Sequence, residues 1–213
     1  YGRSGNPTRA MLAEALARLE GGAGAVVTSS GMAAVDLLLG QLGPDDLIVA
    51  PHDCYGGTYR LLTARASKRQ FRTAFVDQSD MDALAAAFAG KPALILIETP
   101  SNPLMRVVDV RRIAALAKSA GVRVAVDNTF LSPALQRPLA LGADYVVHST
   151  TKYLNGHSDV IGGAVVAADA EEARKLTTWA NVVGGTGSPY DAWLTLRGLR
   201  TLFPRVERQQ RTA

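Results

Sequence analysis

Cysteine is almost absent from this sequence of 213 residues, in which Cys54 stands alone. A single cysteine cannot form an intrachain disulfide, and it cannot supply the paired thiolates of a structural zinc site. We therefore predict a protein without a resident metal ion, in a reducing cytoplasmic environment.

Long apolar runs and dense basic clusters are absent as well. No stretch approaches the roughly 20 apolar residues of a membrane-spanning helix, and the N-terminus lacks a signal-peptide pattern. The net charge is +4, but no basic run exceeds two residues and aromatic residues make up only 6% of the chain. This pattern argues against a nucleic-acid surface, so neither a membrane nor a nucleic acid is predicted as a partner.

What the sequence does contain is a regular alternation of β-branched apolar segments with segments of helical period. Hydrophobic residues make up 47% of the chain and charged residues 20%, which is typical of a globular protein with a sizeable core. The alternation predicts an α/β fold with a mainly parallel sheet of about seven strands and helices on both faces. The predicted strands are 25–29, 47–50, 71–76, 93–98, 122–127, 144–149 and 160–167, and the predicted helices are 8–20, 31–42, 57–68, 80–90, 109–121 and 132–142.

One main domain, 21–185, is predicted between two terminal segments. Residues 1–20 precede it, and 186–213 are expected to contain a helix, WLTLRGLRTLFPRVERQQR, that leads toward a further domain. The sequence begins at Tyr1 without an initiator methionine and stops at Ala213 directly after this helix. Both ends are therefore expected to be cut.

Four loops that follow predicted strands are rich in polar residues, and open α/β sheets bind ligands beyond the carboxyl ends of their strands. The segment TSSGMAA (28–34) follows the first strand and opens a helix. Ser29 or Ser30 can cap this helix, while Gly31 and Met32 present free backbone N–H groups that would bind an anion. The alternative is an ordinary capped helix start.

The other loops offer an aromatic ring, an amide and a carboxylate. Tyr55 stands beside two glycines in PHDCYGGTYR and could stack on a flat ligand or donate a proton, the alternative being a core tyrosine. Asn102 lies between prolines in ETPSNP, and Asp127 ends the fifth strand in VDNTF. A buried carboxylate needs a partner to stay ionised. The alternative for Asp127 is a capping or turn aspartate.

Lys152 differs from the other four lysines in its surroundings. Lys68, Lys91, Lys118 and Lys175 all have the settings of solvated surface charges, whereas Lys152 follows a predicted strand within a hydroxyl-rich loop, YVVHSTTKYLNGHSD. A lysine becomes a nucleophile when its environment lowers its pKa. The alternative is a lysine that pairs with a nearby acid.

These groups together match the needs of one ligand, pyridoxal phosphate. This cofactor requires a phosphate site, an aromatic neighbour for its ring, an acidic partner for its pyridinium nitrogen and an amine for its aldehyde. The corresponding residues are Gly31, Met32, Ser149 and Thr151 for the phosphate, Tyr55 for the ring, Asp127 for the nitrogen and Lys152 for the aldehyde. No metal site or serine-hydrolase arrangement uses the same set.

Six segments also carry a resemblance to a known family: YGRSGNPTR, LEGGAGAVVTSSGMAA, APHDCYGGTYRL, ETPSNPLMRVVD, VDNTFLSPALQRPLALGADYVVHSTTKYLNGHSD and LRGLRTLFPRVE. Together they resemble the Cys/Met-metabolism family of pyridoxal-phosphate enzymes, which has the aspartate-aminotransferase fold type. The resemblance covers essentially the whole chain. It implies that the sheet is the cofactor-binding large domain of such an enzyme.

The resemblance implies a role for each candidate residue. Lys152 would bond the cofactor aldehyde and shuttle protons, Asp127 would keep the pyridinium nitrogen protonated, and Tyr55 would stack on the ring and assist proton transfer. Asn102 would lie near the cofactor's phenolic oxygen and the substrate carboxylate, and Arg60 would meet the distal acyl carboxylate of the substrate. The phosphate would be bound by Gly31, Met32, Ser149 and Thr151, joined by Tyr1 and Arg3 of a neighbouring subunit. A homo-oligomer is therefore implied, expected as a dimer of dimers.

The implied reaction is a γ-replacement in which cysteine displaces the acyl group of O-succinyl-L-homoserine to form L-cystathionine and succinate. An α,γ-elimination of cystathionine to cysteine, 2-oxobutanoate and ammonia uses the same residues and is the alternative among enzymes. A non-catalytic oligomerisation module is the alternative of another class, but it has no use for Lys152 and Asp127 together. Family members are considerably longer than this chain, so the C-terminal domain that supplies their arginine for the substrate α-carboxylate is expected to be missing.

Overall fold

Seven β-strands form the centre of the computed structural model, which describes residues 1–213. The strands are β1 (Gly24–Thr28), β2 (Leu47–Pro51), β3 (Arg72–Val76), β4 (Leu94–Glu98), β5 (Arg123–Asp127), β6 (Tyr145–Ser149) and β7 (Gly163–Ala167). Their order in the sheet is β1-β7-β6-β5-β4-β2-β3. All neighbours are parallel except that β7 is antiparallel to both β1 and β6. The predicted mainly parallel sheet is thereby confirmed.

Helices connect and flank the strands. They are α1 (Pro7–Glu20), α2 (Gly31–Leu39), α3 (Gly56–Ser67), α4 (Met81–Phe88), α5 (Val110–Ser119), α6 (Ser132–Leu135), α7 (Ala170–Val183), α8 (Pro189–Leu199) and α9 (Leu202–Thr212), with a 3₁₀ helix at Pro138–Leu141. Six of them begin at a side chain that accepts hydrogen bonds from first-turn N–H groups, namely Asn6, Ser30, Asp80, Asp109, Asp169 and Ser188. Such caps satisfy donors that have no partner within the helix. None of the helices combines the length and the apolar character needed to cross a membrane.

Helices cover both faces of the sheet, as predicted. On one face, α2, α3 and α7 pack against the strands in a cluster of 19 buried residues. On the other face, α4 and α5 contribute to a second cluster and α1, α8 and α9 to a third. Every residue of β4 is buried, as expected for a central parallel strand that is covered on both sides.

Both terminal regions pack on the core of the same sheet. Leu12 and Leu16 of α1 are fully buried, and Leu202 and Val206 of α9 belong to the same apolar cluster. Residues 7–20 are therefore part of this domain's own core, while a contact of the N-terminal segment with a neighbouring subunit stays a prediction.

Helix prediction failed at two points in the second half of the chain. The helix predicted over 132–142 is wrong: α6 is followed by a separate 3₁₀ helix, because Pro138 disfavours helical backbone at Arg137, which has φ −123° and ψ 90°. No helix was predicted at α7. Asp169, which caps it, and the acidic residues in its first turn were an available start signal.

The single helix predicted over 193–211 is also wrong. The chain forms α8 up to Leu199 and starts α9 at Leu202. This break places Pro204 in the first turn of α9, where its missing N–H is not needed, whereas in the interior of one long helix Pro204 would remove a hydrogen bond. Two packed helices therefore replace the expected single one.

Candidate active site

The carboxyl ends of the parallel strands bring the predicted polar loops to one edge of the sheet. In the strand register Asp127 of β5 lies beside Glu98 of β4, and Ser149 of β6 is separated from Thr28 of β1 only by Gly163 of β7. Loops that are far apart in sequence therefore start from adjacent positions.

Gly31, Met32 and Ser149, which are predicted to bind a phosphate and are called the anion pocket below, lie together at this edge. A Cβ atom added to Gly31 would lie 2.7 Å from Cβ of Ser149, so only glycine allows so close an approach of the two backbones. Oγ of Ser30 accepts a hydrogen bond from the N–H of Ala33 (3.0 Å), which confirms the cap. The N–H groups of Gly31 and Met32 precede the first intrahelical bond of α2, and Oγ of Ser149 has no hydrogen-bond partner within the chain.

Lys152 lies in the turn directly after β6. Its backbone N–H donates to the carbonyl of Ser149 (3.3 Å), and its own carbonyl accepts from Gly156 (2.8 Å). The side chain is exposed. Lys175 forms an ion pair with Glu172. No carboxylate lies within ion-pair distance of Lys152. The alternative of a structural ion pair is therefore not realised.

Asp127 is partly buried at the end of β5 and is tied to the anion pocket through Thr129. Burial is the largest influence on Asp127 and raises its pKa, while hydrogen bonds from Thr129 and the nearby His148 act in the opposite direction. The backbone N–H of Thr129 donates to Oδ1 of Asp127 (3.0 Å), and Oγ1 of Thr129 accepts from the N–H of Ser149 (2.9 Å). Thr129 was missed in the sequence, although a hydroxyl residue two positions after an aspartate is typical of such a turn.

Tyr55 immediately precedes α3, and its side chain is 46% exposed. The alternative of a core tyrosine is therefore wrong. A Cβ atom added to Gly57 would lie 2.5 Å from Cε1 of Tyr55 and 2.9 Å from Sδ of Met32, so the ring of Tyr55 lies near the anion pocket. Arg60 is exposed one turn further along α3, with Nη1 beside Gly56 and no carboxylate in ion-pair contact. It is a cation available to a ligand.

Glu98, which was not singled out in the sequence, connects two of the predicted residues. Its Oε2 accepts a hydrogen bond from the backbone N–H of Tyr55 (2.8 Å), and its Oε1 accepts one from the backbone N–H of Asn102 (2.8 Å). The side-chain amide of Asn102 makes no hydrogen bond within the chain. Burial raises the pKa of Glu98 to about 7. The available signal was its position as the single acidic residue of the strand LILIE.

Three predicted residues make no side-chain hydrogen bond to the other members of this group within the chain. Tyr1 is 89% exposed, and Nη1 of Arg3 donates to Oδ1 of Asn181 on α7 (3.1 Å). Oγ1 of Thr151 accepts from the N–H of Gly162 (3.0 Å) and lies 3.2 Å from its carbonyl oxygen. The roles predicted for these three residues stay predictions.

The remaining residues fit pyridoxal phosphate. The first turn of α2 offers backbone N–H donors for a phosphate. Ser149 lies close to this turn because Gly31 has no side chain. Asp127 would provide a carboxylate for the pyridine nitrogen, Lys152 an unpaired amine for the aldehyde, and Tyr55 an accessible ring.

Comparison with known proteins identifies the family of this chain. The model of the Cys/Met metabolism PLP-dependent enzyme family matches residues 1–213. Cystathionine gamma-synthase of Escherichia coli K12 is 59% identical over 214 aligned positions, which cover 100% of this chain and 55% of that protein. The chain thus spans about half the length of the curated relatives it matches.

Two solved structures have the same fold. Cystathionine gamma synthase from Xanthomonas oryzae pv. oryzae, in complex with cystathionine, is 61% identical with a TM-score of 0.94, over 95% of this chain and 52% of that one. Cystathionine gamma-lyase from Lactobacillus plantarum, complexed with L-serine, is 40% identical with a TM-score of 0.93, over 95% and 53% of the two chains. The chain therefore belongs to the Cys/Met metabolism family of PLP-dependent enzymes.

Proposed function

We propose that this chain is the cofactor-binding part of an enzyme that performs γ-replacement, converting O-succinyl-L-homoserine and L-cysteine to L-cystathionine and succinate. The observation that carries the proposal is that Lys152, Asp127 and Tyr55 start from the same sheet edge. Thr129 bonds Asp127 and Ser149, whose carbonyl accepts from Lys152, and Glu98, beside Asp127 in the sheet, accepts from Tyr55. The relatives named as synthases support replacement over elimination, because they are more similar to this chain than the γ-lyase is.

The residues of the chain have distinct tasks in this reaction. Pyridoxal phosphate supplies an electron sink for the negative charge that develops at the α and β carbons of the substrate. Nζ of Lys152 accepts the α proton of the substrate and returns a proton later. The negative charge of Asp127 keeps a proton on the pyridine nitrogen, and the hydrogen bonds from Thr129 help Asp127 to remain ionised.

Tyr55 and Arg60 act on the two ends of the substrate. Tyr55 covers the flat ring and its hydroxyl assists proton transfer at the substrate carbons. Arg60, one turn along α3, binds the distal carboxylate of the succinyl group, so that this group is oriented for departure from the γ carbon. Succinate leaves with the oxygen of the γ C–O bond, and the sulfur of cysteine then forms the new bond at the γ carbon while its thiol proton is transferred to a base in the site.

A homo-oligomer is part of this proposal. Tyr1 is almost fully exposed and Arg3 contacts Asn181 instead of the anion pocket of its own chain. Both residues are exposed, and in this proposal they reach the phosphate of a neighbouring subunit, as their family motif implies, with Arg3 exchanging its bonds to Asn181 for the phosphate. The oligomeric state of the purified protein, measured by light scattering, tests this part.

The test of function uses the purified full-length protein with pyridoxal phosphate. We expect cystathionine and succinate from O-succinylhomoserine plus cysteine, measured by chromatography with mass detection. Release of cysteine and 2-oxobutanoate from cystathionine, with no cystathionine formed in the synthetic direction, would replace the synthase by a γ-lyase. A protein that takes up no cofactor would overturn both.

A further inference from the structure

Glu98 is a buried carboxylate whose two oxygens serve two different loops. The loop after β2 donates through the N–H of Tyr55, and the loop after β4 donates through the N–H of Asn102, each at 2.8 Å. The residue is 6% exposed, and no lysine, arginine or histidine contacts it within ion-pair distance. Two backbone donors are thus the only groups that compensate its burial.

Burying a carboxylate with only two backbone N–H partners costs free energy, since no cation offsets its loss of hydration. Burial raises the pKa of Glu98 to about 7, the two N–H donors act against this, and the negative charges of Asp127 on β5 and Asp53 after β2 add to it. An apolar side chain in this strand would avoid the cost. The cost is explained if the carboxylate has a task at the sheet edge.

The two backbone N–H groups that bond Glu98 belong to Tyr55 and Asn102, both of which are candidate site residues. Tyr55 immediately precedes α3, and its side chain makes no capping hydrogen bond to the helix. The bond from its backbone N–H to Glu98 therefore fixes the backbone that bears the aromatic ring. Asn102 follows Ser101, and Oγ of Ser101 donates a hydrogen bond to the carboxylate of Asp53 (2.7 Å). Glu98 is the only side chain that bonds both Tyr55 and Asn102.

We propose that Glu98 is a positioning residue of the active site: by accepting from the backbones of Tyr55 and Asn102 together, it sets the spacing between the aromatic ring of Tyr55 and the side-chain amide of Asn102. The proposal rests on the proposed function for the identity of the ligand. The pair of hydrogen bonds from Tyr55 and Asn102 to Glu98, called the clamp below, is present in the chain without any ligand. It can therefore be measured without turnover.

The first experiment measures the clamp in the apoprotein. In Glu98→Gln the side chain keeps its size, but one carboxylate oxygen becomes an NH₂ group that cannot accept, so one backbone N–H loses its partner. We expect amide hydrogen exchange, followed by mass spectrometry, to accelerate about tenfold in at least one of the peptides covering 52–58 and 99–106 and to stay unchanged in β6. Unchanged exchange in both loops would overturn the proposal.

The second experiment measures the consequence for the ligand. We expect Glu98→Gln to weaken pyridoxal phosphate binding by about tenfold and to change the circular dichroism of its visible band, which reports the setting of the ring. Glu98→Asp keeps the charge but is one methylene too short to reach both loops, so it should be impaired similarly. An Asp variant with wild-type binding and dichroism would mean that charge, and not position, matters.

Glu172→Gln is the matched control. Glu172 on α7 is a partly buried carboxylate that accepts hydrogen bonds from Tyr145 of β6 and Lys175 of α7, and it contacts neither Tyr55 nor Asn102. It should change neither loop exchange nor the dichroism. If Glu98→Gln does not fold, Glu98→Asp decides by the same measurements. Loop exchange that responds as expected in a protein that forms no cystathionine would sustain the clamp and refute the proposed reaction.

Discussion

Arg205 of α9 donates from Nη1 to the backbone carbonyl of Tyr153, the residue that follows Lys152 (2.9 Å). The same guanidinium donates from Nη2 to the carbonyl of Gly198 (2.9 Å) and from Nε to Oγ1 of Thr201 (3.0 Å). One side chain therefore joins the turn that carries the lysine to the corner between α8 and α9. Partial burial lowers the pKa of Arg205, so these three acceptors also satisfy a cation that has lost part of its hydration.

Replacing Arg205 should loosen the turn of Lys152. In Arg205→Lys a single ammonium cannot bond the three acceptors, which have the arrangement of a guanidinium fork. We expect a loss of about 1–3 kcal/mol in the free energy of unfolding, measured with denaturant, together with slower covalent uptake of the cofactor. Arg208→Lys, an exposed position on the same helix, should change neither. Equal behaviour of the two variants would contradict this role.

Gly31→Ala should damage the anion pocket. The added Cβ would lie 2.7 Å from Cβ and 2.9 Å from Cα of Ser149, so the backbone of α2 or of β6 has to move. We expect the affinity for pyridoxal phosphate, measured by titration of its visible band, to fall by at least about tenfold, because the donors at the helix start no longer converge. Gly43→Ala, where the nearest atom is 3.7 Å away, serves as the control and should bind normally.

Lys152→Ala should abolish the covalent attachment of the cofactor. Borohydride reduction of the wild-type protein, followed by peptide mass spectrometry, should add the cofactor's mass to the peptide that contains Lys152. The variant should lack this adduct, and its kcat should fall on the order of 10²–10⁴-fold or more, the usual effect of losing a general acid and base. Lys118→Ala, an exposed lysine on α5, should retain both. An adduct on another lysine would refute the assignment.

Glu98 should make the apoprotein less stable as the pH rises. Its pKa is raised from 4.5 to about 7 on folding, so the folded state binds the proton more tightly than the unfolded state. The contribution is fully present below about pH 4.5 and is lost as the pH rises through about 7. At 1.36 kcal/mol per pKa unit, the loss is roughly 3 kcal/mol. Unfolding free energies measured across this range should fall more steeply in the wild type than in Glu98→Gln, and parallel curves would contradict the assignment.

The fold was largely predictable from the sequence, and so was the placement of the candidate site residues at the strand ends, because the signals for both are local. The strand LILIE is recognisable from its own composition, and Asp127 and Lys152 are recognisable because they follow such strands. The sequence also shows that Glu98 ends a strand and that Arg205 lies in a helix. Their hydrogen-bond partners, Tyr55 and Tyr153, are 43 and 52 residues away in the sequence. Which side chain bonds a distant loop depends on the packing of elements, and no local pattern reports that.

Arg60 should determine how well an acidic acyl group is accepted. Its guanidinium is exposed beside Gly56, one turn from Tyr55, and has no carboxylate partner in the chain. In Arg60→Ala the KM for O-succinylhomoserine should rise about 10- to 100-fold, the effect of losing one charge-assisted hydrogen bond. The KM for O-acetylhomoserine should change little, because its acyl group carries no distal carboxylate. Arg60→Lys keeps the charge but not the bidentate geometry and should fall between the two. Since both substrates use the same Lys152 and Asp127, a matching rise for both would mean that Arg60 supports the site as a whole and does not read the acyl group.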